Sequence, residues 1–202
     1  MPSAKKKKRK SRDVTIRRIN IRISGAGGQG IISTGMLLGE AIAIGDGRNV
    51  TQSQSYGPEA RGGATRADVI VSDDDIFFPE CNDLDILLAF TEEAYGKFAP
   101  KAKPGAVIIA DESAVDVIVG SARTVQVPFL TLAEKKFNTP MVANIIAMGF
   151  LSAYTNVVTI DSLRAIVSEQ YATTPYLTKN MTALEQGFQL GTEYLDKENA
   201  ST

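Results

Sequence analysis

"GAGGQG", residues 25–30, follows the run "INIRIS" and opens into "IISTGMLLGEAIAI". A glycine-rich turn between a strand and a helix lets the backbone approach a ligand closely. The free N–H groups at the helix start then attract an anion. Gly25, Gly27 and Gly30 match G-x-G-x-x-G, with Gly28 and Gln29 inside the same turn. These five residues are candidate main-chain phosphate ligands, and the competing reading is a tight structural corner. A second stretch, "SYGPEARGG", lies between two strand-like runs. Its Gly57-Pro58 step favours a sharp turn. Arg61 offers a planar fork suited to phosphate or carboxylate, and Gly62 and Gly63 allow a close approach beside Tyr56. The bland counterpart is a surface hairpin carrying an Arg61–Glu59 pair, which contributes little.

What is missing limits the chemistry further. The chain has no histidine, so it holds no Ser-His-Asp triad and no histidine-ligated zinc. Cys81 is its one cysteine, too few to hold an iron–sulfur cluster or to form an internal disulfide. No catalytic residue and no metal ligand set is expected in this chain. "GDG" at residues 45–47 matches the start of a thiamine-diphosphate metal motif, but no asparagine pair follows it. A helix-ending turn is the simpler reading. A dinucleotide site wants a carboxylate at the end of the second strand to hold ribose hydroxyls. None occurs from Arg48 to Gly57, which weakens the alternative of a stand-alone NAD(P)-binding Rossmann-type domain.

The elements that must position these residues alternate between strand and helix. "INIRIS" alternates with period two, and apolar residues from Gln29 to Ile44 recur at helical spacing, with Gly45 as a stop. "NVTQS" and "RADVIVS" read as strands. "LDILLAF" and "GAVIIAD" are nearly continuous apolar runs, as in strands covered on both faces, and "TEEAYGKFAP" between them is a short helix. "TVQVP" reads as one more strand. Beyond it the pattern turns helical. Asn138 or Thr139 caps a helix with Pro140 in its first turn, and Asp161 caps a second. In the last helix Met181, Leu184, Phe188 and Leu195 share a face. The expected fold is therefore α/β in three layers. It has a mostly parallel sheet, a Rossmann-like glycine-rich first turn and a helical C-terminal part.

Residues 14–202 fit one α/β domain, since 202 residues would crowd two. Residues 1–13, with "KKKKRK", read as a disordered basic tail. No aromatic residue interleaves with its lysines, so a solvated arm is the expectation and nucleic acid is not an expected partner. No apolar run approaches the roughly 20 residues of a membrane span. With no secretory signal and one cysteine, a cytoplasmic setting is expected.

Together, "GAGGQGIISTGMLLGEA", "SQSYGPEARGGATRADVIVS", "NIIAMG" and "NMTALEQGFQLG" closely resemble the gamma subunit of 2-oxoacid:ferredoxin oxidoreductases. The 2-oxoglutarate (ketoglutarate) type is nearest, with pyruvate and ketoisovalerate relatives. GGQG alone also occurs in indolepyruvate oxidoreductase subunits, so the SYGPE-RGG stretch carries most of the specificity. The resemblance implies an accessory subunit of an enzyme that oxidatively decarboxylates a 2-oxoacid to its acyl-CoA and reduces ferredoxin. It implies alpha and beta catalytic partners and a ferredoxin-like delta subunit. Thiamine diphosphate, magnesium and iron–sulfur clusters would sit in those partners, with CoA as co-substrate and no activity in this chain alone. CoA docking through Gly25, Gly27, Gly28, Gln29, Gly30, Tyr56, Arg61, Gly62 and Gly63 is one implied role. Gripping the catalytic chains with the same loops is the other.

Overall fold

A computed structural model describes residues 18–55, 64–115, 118 and 122–201. The strands are β1 (Arg18–Gly25), β2 (Asn49–Ser55), β3 (Thr65–Ser72), β4 (Leu84–Ala89), β5 (Ala102–Asp111) and β6 (Arg123–Val127). The helices are α1 (Ile31–Glu40), α2 (Glu92–Phe98), α3 (Phe129–Phe137), α4 (Ala143–Thr155), α5 (Ile160–Tyr171) and α6 (Leu177–Ser201). One six-stranded sheet runs in the order β2-β3-β1-β4-β5-β6. The pairs β1–β4, β4–β5 and β5–β6 are parallel, whereas β3 runs antiparallel to both its neighbours. The expected mostly parallel α/β sheet is therefore present, with β3 as its one reversed strand.

Burial on both faces makes three layers. Ile21, Ile23, Val69, Val71, Leu88, Ile109 and Val127 form a core with residues of α1 and α3–α6. Ile70, Leu87 and Ile108 turn the other way and pack with Tyr95 and Phe98 of α2. "INIRIS" suggests a strand with one wet face, yet its polar side is buried as well, with Asn20, Arg22 and Ser24 all covered. Local partners take up these polar groups, with Arg22 Nη1 the one buried side-chain atom left without a hydrogen bond among the described residues. The Asn20 amide donates to the Asp83 carbonyl and Ser24 Oγ to the Thr65 carbonyl, each at 2.8 Å. The Arg22 guanidinium forms a two-bond fork with Asp68 at 2.6 and 2.7 Å, donates to the Cys81 carbonyl, and lies over the Phe98 ring.

Three details differ from the sequence reading, and of the two caps offered, Asn138 and Thr139, the second is the one used. The first helix ends at Glu40 and passes into a π-helical turn, Ala41–Gly45, instead of continuing regularly to Ile44. "FLTLAEKKF", unassigned from sequence, is α3, and Asn138 closes it in the left-handed region at φ 54°. The cap of the following turn is thus Thr139, whose hydroxyl accepts from the Met141 N–H, with Pro140 opening the turn. Thr159, not Asp161, caps α5 by accepting from the Ser162 N–H, which leaves Asp161 in the first turn. In α6, Leu184 is fully buried, Met181 and Leu195 pack on the core, and Phe188 is half-buried.

The tightest contact between elements is α4 against α6. A Cβ on Gly149 would stand 2.8 Å from the Phe188 nitrogen. One on Gly187 would stand 2.7 Å from the Ile146 carbonyl carbon and nearer still to its oxygen. One on Gly191 would stand 2.7 Å from the Phe150 carbonyl oxygen. The glycines of "NIIAMG" and "EQGFQLG" are therefore where two helix backbones touch.

Candidate functional site

The carboxyl end of β1 lies between antiparallel β3 and parallel β4, where the chain's crossovers diverge to opposite sides of the sheet. In open α/β sheets that crevice is the usual ligand position. The glycine turn occupies it. Gln29 folds its side chain back to accept from the Ala26 N–H at 2.8 Å, while its own N–H donates to the Ala26 carbonyl at 3.3 Å. Gly28 and Gly30 adopt φ of 86° and 73°, a region that favours glycine. Gly30 is the N-cap of α1, without a side-chain cap bond, and no acidic residue stands in the first turn. No carboxylate of the helix's own first turn neutralises its positive end.

Second-layer residues hold the turn in place. The Gly30 carbonyl accepts from both the Thr34 N–H and the Thr34 hydroxyl at 2.8 Å, and the Asn144 amide donates to Thr34 Oγ1 at 3.1 Å. A Cβ on Gly30 would run into that amide, and one on Gly25 would stand 2.9 Å from Ile31 Cδ1 and 3.0 Å from Phe90 Cβ. Gly27 is different. A Cβ there meets none of the described residues within 4 Å, and its φ is not in the left-handed region.

Two hollows flank the turn. One, of about 380 Å³, is lined by Ala26, Gly27, Gly28, Gly30, Ile31, Ile32, Ser33 and Thr65. The other, of about 170 Å³, lies between Gly28 and Gln29 and the side chains of Phe90, Leu130, Pro140 and Met141. The structure brings Gly25, Gly27, Gly28, Gln29 and Gly30 together as one turn. Tyr56, Arg61, Gly62 and Gly63 lie outside the described residues. Their flanks do not: Thr65 pairs with Gly25, and Ser55 pairs with Arg66. The described residues on either side of 56–63 therefore lie at the end of the sheet that carries the glycine turn. Sequence reasoning did not single out Thr34, Phe90 or Asn144, although Asn144 opens the "NIIAMG" motif.

The strand order bears on the dinucleotide alternative. A ribose-holding carboxylate belongs on a second strand beside β1, but here β2 stands one strand further out, with antiparallel β3 between. Asp46 of "GDG" has a structural task. Its carboxylate accepts from the Thr159 N–H at 3.0 Å and from the Thr159 and Ser162 hydroxyls at 2.6 Å, which joins the end of the π-helical turn to the start of α5. Cys81 is buried, and that desolvation pushes its thiol up to about 12, with the Asp68 charge adding to it. Among the described residues no group of three or more Cys, Asp or Glu side chains stands where it could hold a metal ion. No helix among them is long and apolar enough to cross a membrane.

Residues 20–190 match the family model described as pyruvate ferredoxin/flavodoxin oxidoreductase. The chain is 48% identical over 137 residues to the 2-oxoglutarate synthase subunit KorC of Archaeoglobus fulgidus, covering 68% of this chain and 71% of that one. Its fold superposes on the gamma subunit of keto/oxoacid ferredoxin oxidoreductase from Geobacter sulfurreducens with a TM-score of 0.75 at 36% identity, covering 85% and 95% of the two chains. It also matches the 2-oxoglutarate:ferredoxin oxidoreductase of Magnetococcus marinus, solved with 2-oxoglutarate, coenzyme A and succinyl-CoA, with a TM-score of 0.78 at 26% identity. That match covers 88% of this chain and 31% of the larger one.

Proposed function

This chain belongs to the pyruvate ferredoxin/flavodoxin oxidoreductase family, and from that premise we propose that it is the gamma subunit of a 2-oxoglutarate:ferredoxin oxidoreductase. The enzyme converts a 2-oxoacid to its acyl-CoA and passes the electrons to ferredoxin. In this reading the alpha and beta subunits hold thiamine diphosphate and magnesium, and a ferredoxin-like delta subunit carries clusters. The donor set of this chain does not suit those groups: Asp46 is committed to Thr159 and Ser162, and the Cys81 thiol is buried and held protonated. A cytoplasmic setting accords with a single cysteine.

The contribution we assign to this chain is docking of CoA. Gly27 carries the reading. Packing and backbone conformation account for glycine at Gly25, Gly28 and Gly30, but nothing among the described residues requires it at Gly27, which lines the open hollow. Close approach by a ligand does require it. The start of α1, with no side-chain cap bond and no carboxylate in its own first turn, favours a phosphate there. Arg61, on the segment anchored at Thr65 and Ser55, would hold a second phosphate bidentately, with Gly62 and Gly63 giving room and Tyr56 beside them. This chain's residues bind and orient the thiol donor; the bond-making steps take place on partner subunits.

Two measurements test this. Affinity purification of the native chain should recover thiamine-dependent and cluster-bearing partner chains, and recovery of neither would overturn the subunit assignment. In the assembled complex, Arg61→Ala should raise the KM for CoA about tenfold or more, from the loss of about 1.5–3 kcal/mol in a charged hydrogen bond. Turnover of the oxoacid on thiamine without CoA should be unchanged. An intact complex with an unaltered KM would end the docking reading, and dissociation of the complex would favour a loop that grips the catalytic chains.

A further inference from the structure

At the opposite end of β1 from the glycine turn, the connection from β3 to β4 reads "DDDIFFPECND". Its two ends and its middle are pinned. Ile76 packs against the second core cluster and Cys81 is buried within it. The Arg18 guanidinium donates to the Phe78 and Glu80 carbonyls, each at 2.9 Å, and Asp74 N–H donates to Ser72 Oγ at 3.1 Å. Between these anchors Phe77 and Phe78 project outward, 80% and 77% exposed. A neighbouring aromatic pair left in water forgoes the gain that burial would bring to each ring. Around it stand Asp73, which pairs with Arg48 at 3.1 Å, and Asp74, Asp75, Glu80 and Asp83, all exposed, with no basic residue in the segment.

Aromatic faces rimmed by carboxylates suit one kind of occupant. Lysine and arginine place their charge among the acids and lay their stems, or the cation itself, on the rings. Such an occupant is present in the same chain. Residues 5–12 contain Lys5, Lys6, Lys7, Lys8, Arg9, Lys10 and Arg12 without an acidic residue. The chain enters β1 at Arg18, whose strand partner is Ser72, one residue before the acidic run begins. Arg12 lies six positions before Arg18, up to about 20 Å of extended chain, so Arg12 and the lysines before it can reach the carboxylates of the loop. We propose that the basic segment Lys5–Arg12 docks on this acid-rimmed aromatic pair of its own chain and covers Phe77 and Phe78. The site is independent of the glycine turn, which lies about 23 Å away at the other end of β1.

The full chain allows a direct test. Ala4→Cys adds a single accessible thiol for a nitroxide spin label, because buried Cys81 should take none; the wild-type chain serves as that control. At low salt the label should remove at least half of the amide signal intensity of Asp74, Phe77 and Phe78 relative to the reduced label. The effect should vanish near 1 M salt, where screening acts within about 3 Å. It should also vanish in the Asp74→Lys/Asp75→Lys variant, whose remaining amide spectrum reports an intact fold. Full signal intensity at low salt would overturn the proposal. So would broadening that survives high salt, or broadening that fades on dilution and therefore arises from a second copy.

Discussion

Replacing Gly187 by alanine should destabilise this protein, although alanine is the better helix former. In the interior of α6 the exchange alone would gain about 1 kcal/mol. The new Cβ, however, would stand 2.7 Å from the Ile146 carbonyl carbon and 3.0 Å from its Cα. Ordinary contact lies at about 3.5–4.0 Å, so α4 and α6 must part by about 1 Å. Both obstructing atoms are backbone, so no side chain can rotate away. Overpacking of a well-filled core costs about 1–3 kcal/mol, and a rigid obstruction belongs at the upper end. The net loss is then about 2 kcal/mol, which lowers Tm by about 4–8 °C in a protein of this size. Gly96, exposed in α2 with nothing within 4 Å of a Cβ, provides the contrast. Gly96→Ala should raise stability by about 0.5–1 kcal/mol. Urea unfolding of both variants, at equal m-values, reads the two signs. If Gly187→Ala proves neutral or stabilising, the backbone contact between the two helices does not constrain the fold as described.

Two further outcomes follow from the buried polar face of β1. Arg22→Ala leaves Asp68 buried without its fork, and urea unfolding should register a loss of about 3–5 kcal/mol; a loss under 1 kcal/mol would mean that water reaches the carboxylate. The Cys81 thiol, raised to about 12 by burial, gives a pH signature. Above the ordinary thiol range near 9 the unfolded chain loses this proton and the native chain keeps it, so stability falls with rising pH until about 12, by up to about 1.4 kcal/mol per pH unit. The difference between the wild-type and Cys81→Ala profiles isolates that contribution. A flat difference from pH 9 to 11 would show that the thiol is not desolvated.

Local periodicity determined much of this molecule. Most strands and helices can be read from apolar spacing, because a period of two or 3.6 is a property of neighbouring residues, whereas polar β2, "NVTQSQS", offers only Val50 to such a pattern. Gly25–Gly30 announced a strand–turn–helix corner for the same reason, since left-handed backbone at Gly28 and Gly30 is a local demand. α3 escaped detection because, in "FLTLAEKKF", only Phe129 and Ala133 are buried. The choice of Thr159 over Asp161 as cap was equally hidden, because the Asp46 carboxylate that bonds Thr159 comes from 113 residues away. Nothing in "RADVIVS" states that β3 runs against β1. That direction exists only in the assembled sheet, where the register runs from Arg18 opposite Ser72 to Gly25 opposite Thr65, and it moves the expected ribose carboxylate position away from the glycine turn. "NIIAMG" and "EQGFQLG" carried a resemblance without a reason. Only the assembled helices supply it, because Gly149, Gly187 and Gly191 matter where α4 meets α6, and Asn144 matters where it meets Thr34 behind the turn. Sequence determines what each segment prefers, and tertiary packing decides which distant groups meet, since burial makes an unmet polar group or an extra methyl costly.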